Sequence, residues 1–291
     1  MLSFGKSFHL RTVSAVLGVF TLAVTASSVP GAQRAQTTIP DFSQANTAGW
    51  VSAGADWLPP ASGPGPVAFD PAHPFVSNQD AIRTGRSVTP RIADPNSPLL
   101  LPWARDAVRR ADEQVLAGKV GFEAMSTCWP GGVPGIMLFT AEPIYFVQTP
   151  KEITILYQRG PNQRHIYLNV PHSKNHKPSW YGESVGHYEG NTLVVDTIGL
   201  SDKTFVDNLR TPHTPQMHVV ERYTISADGK AMNGTAYVED PGTFTSTWSA
   251  TQRWRRVQQP IQESVCAENN NNYNYFGLRI DPIPEAATPD F

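Results

Sequence analysis

Glu221, Arg222 and Tyr223 are consecutive. On a strand their side chains alternate, so Glu221 and Tyr223 share one face while His218 and Arg222 share the other. Met217, Val219 and Ile225 fall on the Glu221 face. If that face lines an apolar interior, the carboxyl is desolvated and its pKa rises, as a general acid or base near neutral pH requires. Tyr223 beside it could donate a proton or hold an oxyanion. The competing reading is a Glu–Arg pair that braces two strands. A register error of one residue would exchange the Glu221/Tyr223 set for the His218/Arg222 set.

His213 is the third catalytic candidate. It lies in Thr211-Pro-His-Thr-Pro215, where prolines fix the backbone and could present an imidazole at a barrel mouth. Asp196 is flanked on its own face by Val194 and Ile198, so an unpaired carboxylate there would be costly. Arg164, Arg222 or backbone amides are its expected partners. Tyr157, Arg164 and His165 sit on strands that could face the same interior, with Arg164 the best contact for an anion. Arg164, Tyr157, His165, Arg222, His218 and Asp196 therefore form the expected substrate-binding set. His172 and His176 are four apart, but that spacing pairs metal ligands only on a helix, and Pro171 and Pro178 bracket a loop here. No metal is expected. The chain has no Gly-x-Ser-x-Gly elbow, phosphate loop, dinucleotide fingerprint or Cys-x-x-Cys, so no cofactor is expected either.

Strands must position these groups. Alternation predicts them near 136–140, 144–148, 152–158, 164–169, 192–198, 217–226, 233–239 and 244–257, with Asp228-Gly229 as a hairpin turn. In 244–257 the basic run Arg253-Trp254-Arg255-Arg256 reads as a polar edge, with Trp248 and Trp254 on the opposite face. Short strands joined in sequence predict a mainly β fold, a closed antiparallel barrel or barrel-like sandwich. Segments 171–191 and 199–216 read as long rim loops. A helix is predicted over 100–118, with Pro102 in its first turn and Gly118 at its end. Its core stripe is Trp103, Ala107, Ala111, Val115 and Leu116, leaving Arg105, Arg109, Asp112 and Glu113 to solvent. Residues 27–99, rich in Pro and Gly, read as an extended arm over the 119–270 barrel domain, and 271–291 as a tail.

A basic start (Lys6, His9, Arg11), an apolar run from Val13 to Val24 and the small-residue site Val24-Thr25-Ala26 predict a cleaved signal peptide over 1–26. The protein is then periplasmic or secreted, with no integral span in the mature chain. Its two cysteines, Cys128 and Cys266, are expected to form a disulfide in that compartment. Net charge is −2 with 16% charged residues, which leaves no basic patch for nucleic acid. A homo-oligomeric state is left open.

Several blocks resemble a family of secreted bacterial proteins with no known common activity. They are Cys128-Trp-Pro-Gly-Gly-Val-Pro134, Gln148-Thr-Pro150, Arg164-His-Ile-Tyr167, Tyr188-Glu-Gly-Asn-Thr-Leu-Val-Val-Asp-Thr197, His213-Thr214, Glu221-Arg-Tyr223 and Asp240-Pro241. The resemblance covers roughly 125–270. Tyr188 stands where the family signature has tryptophan, Asn191 where it has aspartate and Gly135 where it has arginine. The resemblance implies a lipocalin-like β-barrel. The functional expectation is a cofactor-independent enzyme using acid–base chemistry of lyase, isomerase or dehydratase type. Its substrate would be a small apolar or aromatic molecule in the barrel cavity. The alternatives are a lipocalin-like binding protein without catalysis, and an interaction protein working through the arm at 50–75.

Overall fold

The computed structural model describes residues 39–43, 48–119, 128–138, 142–158 and 162–264. The expected signal segment, Cys266 and the 271–291 tail lie outside them, so the disulfide expectation rests on a residue that is not described.

Nine strands close into a barrel in chain order. They are β1 (Gly49–Ser52), β2 (Ile144–Gln148), β3 (Glu152–Tyr157), β4 (Asn162–Leu168), β5 (Glu183–Glu189), β6 (Thr192–Ile198), β7 (His218–Ile225), β8 (Ala231–Glu239) and β9 (Trp248–Val257). Alternating burial along β3, β4, β8 and β9 puts one side chain in two inside, as a half-buried strand requires. Trp248 and Trp254 are both buried, and Arg253 and Arg255 face solvent. The mainly β closed barrel agrees with the expectation, with one difference in direction. β4 and β5 run parallel, whereas every other neighbouring pair is antiparallel. A parallel step needs a crossover rather than a hairpin, and residues 169–182 supply it.

Three element expectations are corrected. The described part of the apolar run expected as a strand near 136–140, residues 136–138, is not a strand. Gly135–Leu138 is a 3-10 turn with all four residues buried, and it plugs the interior. Residues 171–191 are not all loop, because β5 occupies their second half. The arm is not merely laid over the body: its β1 closes the barrel, pairing through four residues with β9 and through Trp50↔Ile144 with β2. The rest of the arm does cover the body, through the Leu58↔Thr251 bridge and the Thr245 amide bond to the Leu99 carbonyl at 2.8 Å, and includes a short helix, α1 (Asn78–Thr84).

The interior is filled. Trp50, Phe146, Ile153, Ile155, Ile166, Tyr223 and Trp248 are among its largest fully buried side chains. Gly234 in β8 admits this packing, since a Cβ there would stand 2.8 Å from the Trp254 ring and 2.9 Å from the Met137 methyl of the plug. Helix α2 (Pro102–Leu116) buries Ala104, Val108, Asp112 and Val115. The expected stripe was rotated: Trp103 and Leu116 are 44% and 49% exposed. Asp112, expected in solvent, is buried against Arg210 at 2.6 Å. Trp103 instead lies along the surface and donates to the Gly242 carbonyl. Among the described residues no helix is long and apolar enough to cross a membrane.

Candidate functional site

Two sites emerge, one sealed inside the barrel and one open in its wall. The inner site is built by β4, β5, β6 and β7, which contribute Arg164, Ser184, Thr197, and Glu221 with Tyr223. The alternation of β7 puts Val219, Glu221 and Tyr223 inside, with His218 and Arg222 facing out. The Arg164 fork meets both Glu221 oxygens, donating from Nη1 to Oε1 at 3.0 Å and from Nη2 to Oε2. Arg164 also donates to Thr197 Oγ1 at 2.9 Å and to Ser184 Oγ at 3.1 Å. Tyr223 donates its hydroxyl proton to Glu221 Oε1 at 2.8 Å. Both charged side chains are fully buried. Burial works to lower the Arg164 pKa, but the Glu221 carboxylate outweighs it and holds the guanidinium above its ordinary value. Burial, reinforced by Glu221, pushes the Tyr223 phenol well up. Tyr157, also inside, is raised by burial and stacks on Tyr181 with centroids 6.1 Å apart.

Geometrically this arrangement is a buried ion pair that braces β4 against β7. Glu221 already has an acceptor bond on each oxygen. Moving a proton onto it would strand a buried guanidinium, a costly state. Tyr223 is held as a donor by a raised pKa. The bracing partner of Glu221 is Arg164 from β4, not the adjacent Arg222, which reaches Glu189 on the outer face at 2.6 Å.

His213 does not join them. It is 2% exposed, not displayed at a rim. Its Nδ1 faces the Thr214 carbonyl at 3.0 Å, and its Nε2 faces Thr204 Oγ1 at 2.8 Å. A carbonyl only accepts, so Nδ1 carries the proton and Nε2 accepts from the Thr204 hydroxyl. Burial lowers the His213 pKa below its ordinary 6.5. The unfolded chain therefore binds a proton that the folded chain refuses. That favours the folded state above about pH 6.5, and the advantage is lost as pH falls below it. In acid-side stability profiles, His213→Asn should flatten the decline below pH 6.5. An unchanged slope would mean that this ring does not govern acid sensitivity.

The remaining expected binding residues lie on the outer surface. His165 is exposed, pairs with Glu152 through Nδ1 and stacks against Tyr167. Asp196 does not meet arginine or amides: its Oδ1 takes His172 Nε2 at 2.9 Å and His218 Nε2 at 3.0 Å. Among the described residues no group of three or more His, Cys, Asp or Glu is placed to hold a metal ion.

The open site follows from the parallel step. The β4–β5 ladder covers only Ile166↔Ser184, Tyr167↔Val185 and Leu168↔Gly186. Before Ile166 the strands part, and the incoming crossover stands opposite the first half of β4. The gap is an open slit of about 410 Å³. Arg164 and Ser184 form its floor. Gln163, His165 and Tyr167 line one side, and His176, Lys177, Trp180, Tyr181 and Glu183 the other. Trp180 packs edge-on against Trp129, with centroids 5.2 Å apart. Most charges here are compensated: Arg164 by Glu221, His165 by Glu152, Glu183 by Ser173 and His172. Lys177 makes no ion pair among the described residues. Sequence reasoning missed Trp180, Lys177 and Ser184 because they fell in the stretch read as loop. The adjacent aromatics Trp180 and Tyr181 between Pro178 and Gly182 were the available signal. In comparisons with protein-family models, curated proteins and solved structures, nothing matches this chain.

Proposed function

We propose that the protein binds a small molecule in the slit beside β4, and that the ligand has a flat aromatic or apolar body and an anionic group. The observation that carries this reading is the slit's composition. Trp180, Tyr181 and Tyr167 offer ring surface, and Lys177 contributes the one cation there that is without an ion-pair partner among the described residues. Small-molecule sites combine apolar walls with a few oriented polar groups in this way. The filled interior and the engaged Glu221 favour binding over the acid–base enzyme as the first reading. The apparent export signal supports a periplasmic or secreted location, where a Cys128–Cys266 disulfide would persist.

Titration calorimetry with 2-naphthoate and with neutral 2-naphthalenemethanol tests the assignment. Lys177→Glu should weaken the carboxylate by about tenfold or more and leave the alcohol nearly unaffected, because only the former loses a charge partner. Trp180→Ala should weaken both. Binding insensitive to both substitutions would remove the slit as the site. Ligand recovered unchanged after prolonged incubation fits a binding protein, whereas conversion to product would restore the lyase or isomerase reading.

A further inference from the structure

The crossover that walls the slit bridges to the 199–201 segment at Ser179, and nearer its start one imidazole spans two barrel strands. His172 Nδ1 faces Glu183 Oε1 of β5 at 3.1 Å, and Nε2 faces Asp196 Oδ1 of β6 at 2.9 Å. Ionised carboxylates only accept hydrogen bonds, and a neutral imidazole has a single N–H. Both bonds can therefore exist together only when the ring is an imidazolium. Glu183 is held in its ionised form: the Ser173 hydroxyl first, then the Ser173 amide and His172, bring its pKa below the ordinary value. The surrounding charge has the matching sign. Beyond Glu183 and Asp196, the ring's neighbourhood holds His218 of β7, bonded to the same Asp196 oxygen at 3.0 Å, and Glu239 of β8, 3.9 Å from His218 Nδ1. Three carboxylates thus face two imidazoles. On the crossover itself, Lys174 is exposed and makes no ion pair among the described residues.

We infer that His172 is a proton-operated latch on the slit: the imidazolium ties residues 169–182 to both β5 and β6, and loss of its proton releases one of the two ties. Four residues beyond it the same segment delivers His176, Lys177, Trp180 and Tyr181 to the slit. Release loosens the wall that holds a ligand. His218 does not share this role. It makes one bond to Asp196, which a neutral ring keeps, and it sits on a barrel strand rather than on the crossover. The Ser173 bonds to Glu183, 2.6 Å from the amide and 2.5 Å from the hydroxyl, do not titrate with the ring. They hold the start of the segment, so release weakens the stretch after it, whose own tie is the Ser179 bridge to Gly199 and Ser201.

The latch itself does not depend on ligand identity, but its effect on retention rests on the slit being the binding site. Two measurements separate the two. In the full-length protein without ligand, hydrogen-exchange protection factors, corrected for intrinsic rates, are followed from pH 5.5 to 8. The Ser179 and Gly182 amides, which donate to the Gly199 and Ser179 carbonyls, should lose about tenfold in protection as pH rises, the scale of one charge-assisted bond. His172→Gln should show low protection at every pH, and His218→Gln should keep the wild-type pH response. A flat wild-type profile, or one that His172→Gln leaves intact, overturns the latch. The dissociation rate of 2-naphthoate is then measured over the same range. Acceleration with pH in wild type but not in His172→Gln supports the gating. Protection that changes with pH while dissociation stays constant overturns the gating and places the ligand elsewhere, leaving the latch.

Discussion

Replacing Glu221 with leucine lowers folding stability by about 3–5 kcal/mol, and replacing Arg164 with methionine alone does the same. In either case the loss is dominated by the charge left behind. Without Glu221 a fully buried guanidinium keeps only neutral hydroxyl partners, Thr197 and Ser184 among them. Without Arg164 the carboxylate keeps only the Tyr223 hydroxyl. The double variant Arg164→Met/Glu221→Leu removes both charges and fills similar volume, so it should recover most of the loss and reach within about 1–2 kcal/mol of wild type. Guanidinium unfolding of the four proteins measures the cycle. If the two single losses simply add in the double variant, the pair is not coupled and the bracing assignment fails. Recovery would also show that this charge pair is dispensable for stability, a pattern that burial alone does not distinguish.

The second large effect lies at the other buried pair. Asp112→Ala takes the carboxylate from Arg210, whose side chain is 4% exposed and whose remaining acceptor is the Arg91 carbonyl at 2.8 Å. The Ala93 amide loses its acceptor at the same time, since Asp112 Oδ2 receives it at 3.1 Å. An unpaired buried cation and an orphaned amide together cost about 3–5 kcal/mol. The damage should be local. Asp112 joins α2 to the 199–216 segment and to the arm, and contributes nothing to the strand ladders. Hydrogen exchange should therefore speed up in α2 and around 205–211 while β7, β8 and β9 keep their protection. Uniform loss of protection would mean that the helix is part of the barrel's cooperative unit.

Strands whose apolar residues alternate were legible, and β6, β7 and β8 were placed within two residues of their observed ends. The inward face of β7 was legible too, because Met217 and Val219 lead into Glu221 and Tyr223 with period two. What pairs across the barrel was not. Arg164 and Glu221 are 57 residues apart with two strands between them, and a linear pattern offers Arg222 as the nearer cation. β5 was hidden by its polar outer face (Glu183, His187, Glu189) and by Gly186. That glycine reads as a loop residue but serves packing: a Cβ there would meet the Ile166 methyl at 2.9 Å and the Val194 carbonyl at 3.0 Å. With β5 unread, Ser184 and Thr197, which face each other in register, could not be seen as ligands of one guanidinium. The plug at 135–138 shows a separate ambiguity. A short apolar run buried on every side has no period to reveal its conformation. Asp112 misled because a charged residue on a helix is usually solvated, and only its partner in a distant segment reverses that.

The nine staves are not assembled in the order in which they are numbered. β1 forms one register pair with β2 and four with β9, so the first strand of the chain is anchored chiefly by the last. About two hundred residues separate Trp50 from its partner Arg256. Closing so long a loop delays the joint until the intervening chain exists, as high contact order slows folding generally. Until β1 docks, the barrel is an open sheet whose two margins, β2 and β9, have unsatisfied backbone groups of the kind that invite pairing between chains. The proline-rich tract around β1 thus acts as a tether for a late-arriving clasp, and the ring stays undone until β9 is in place to receive it.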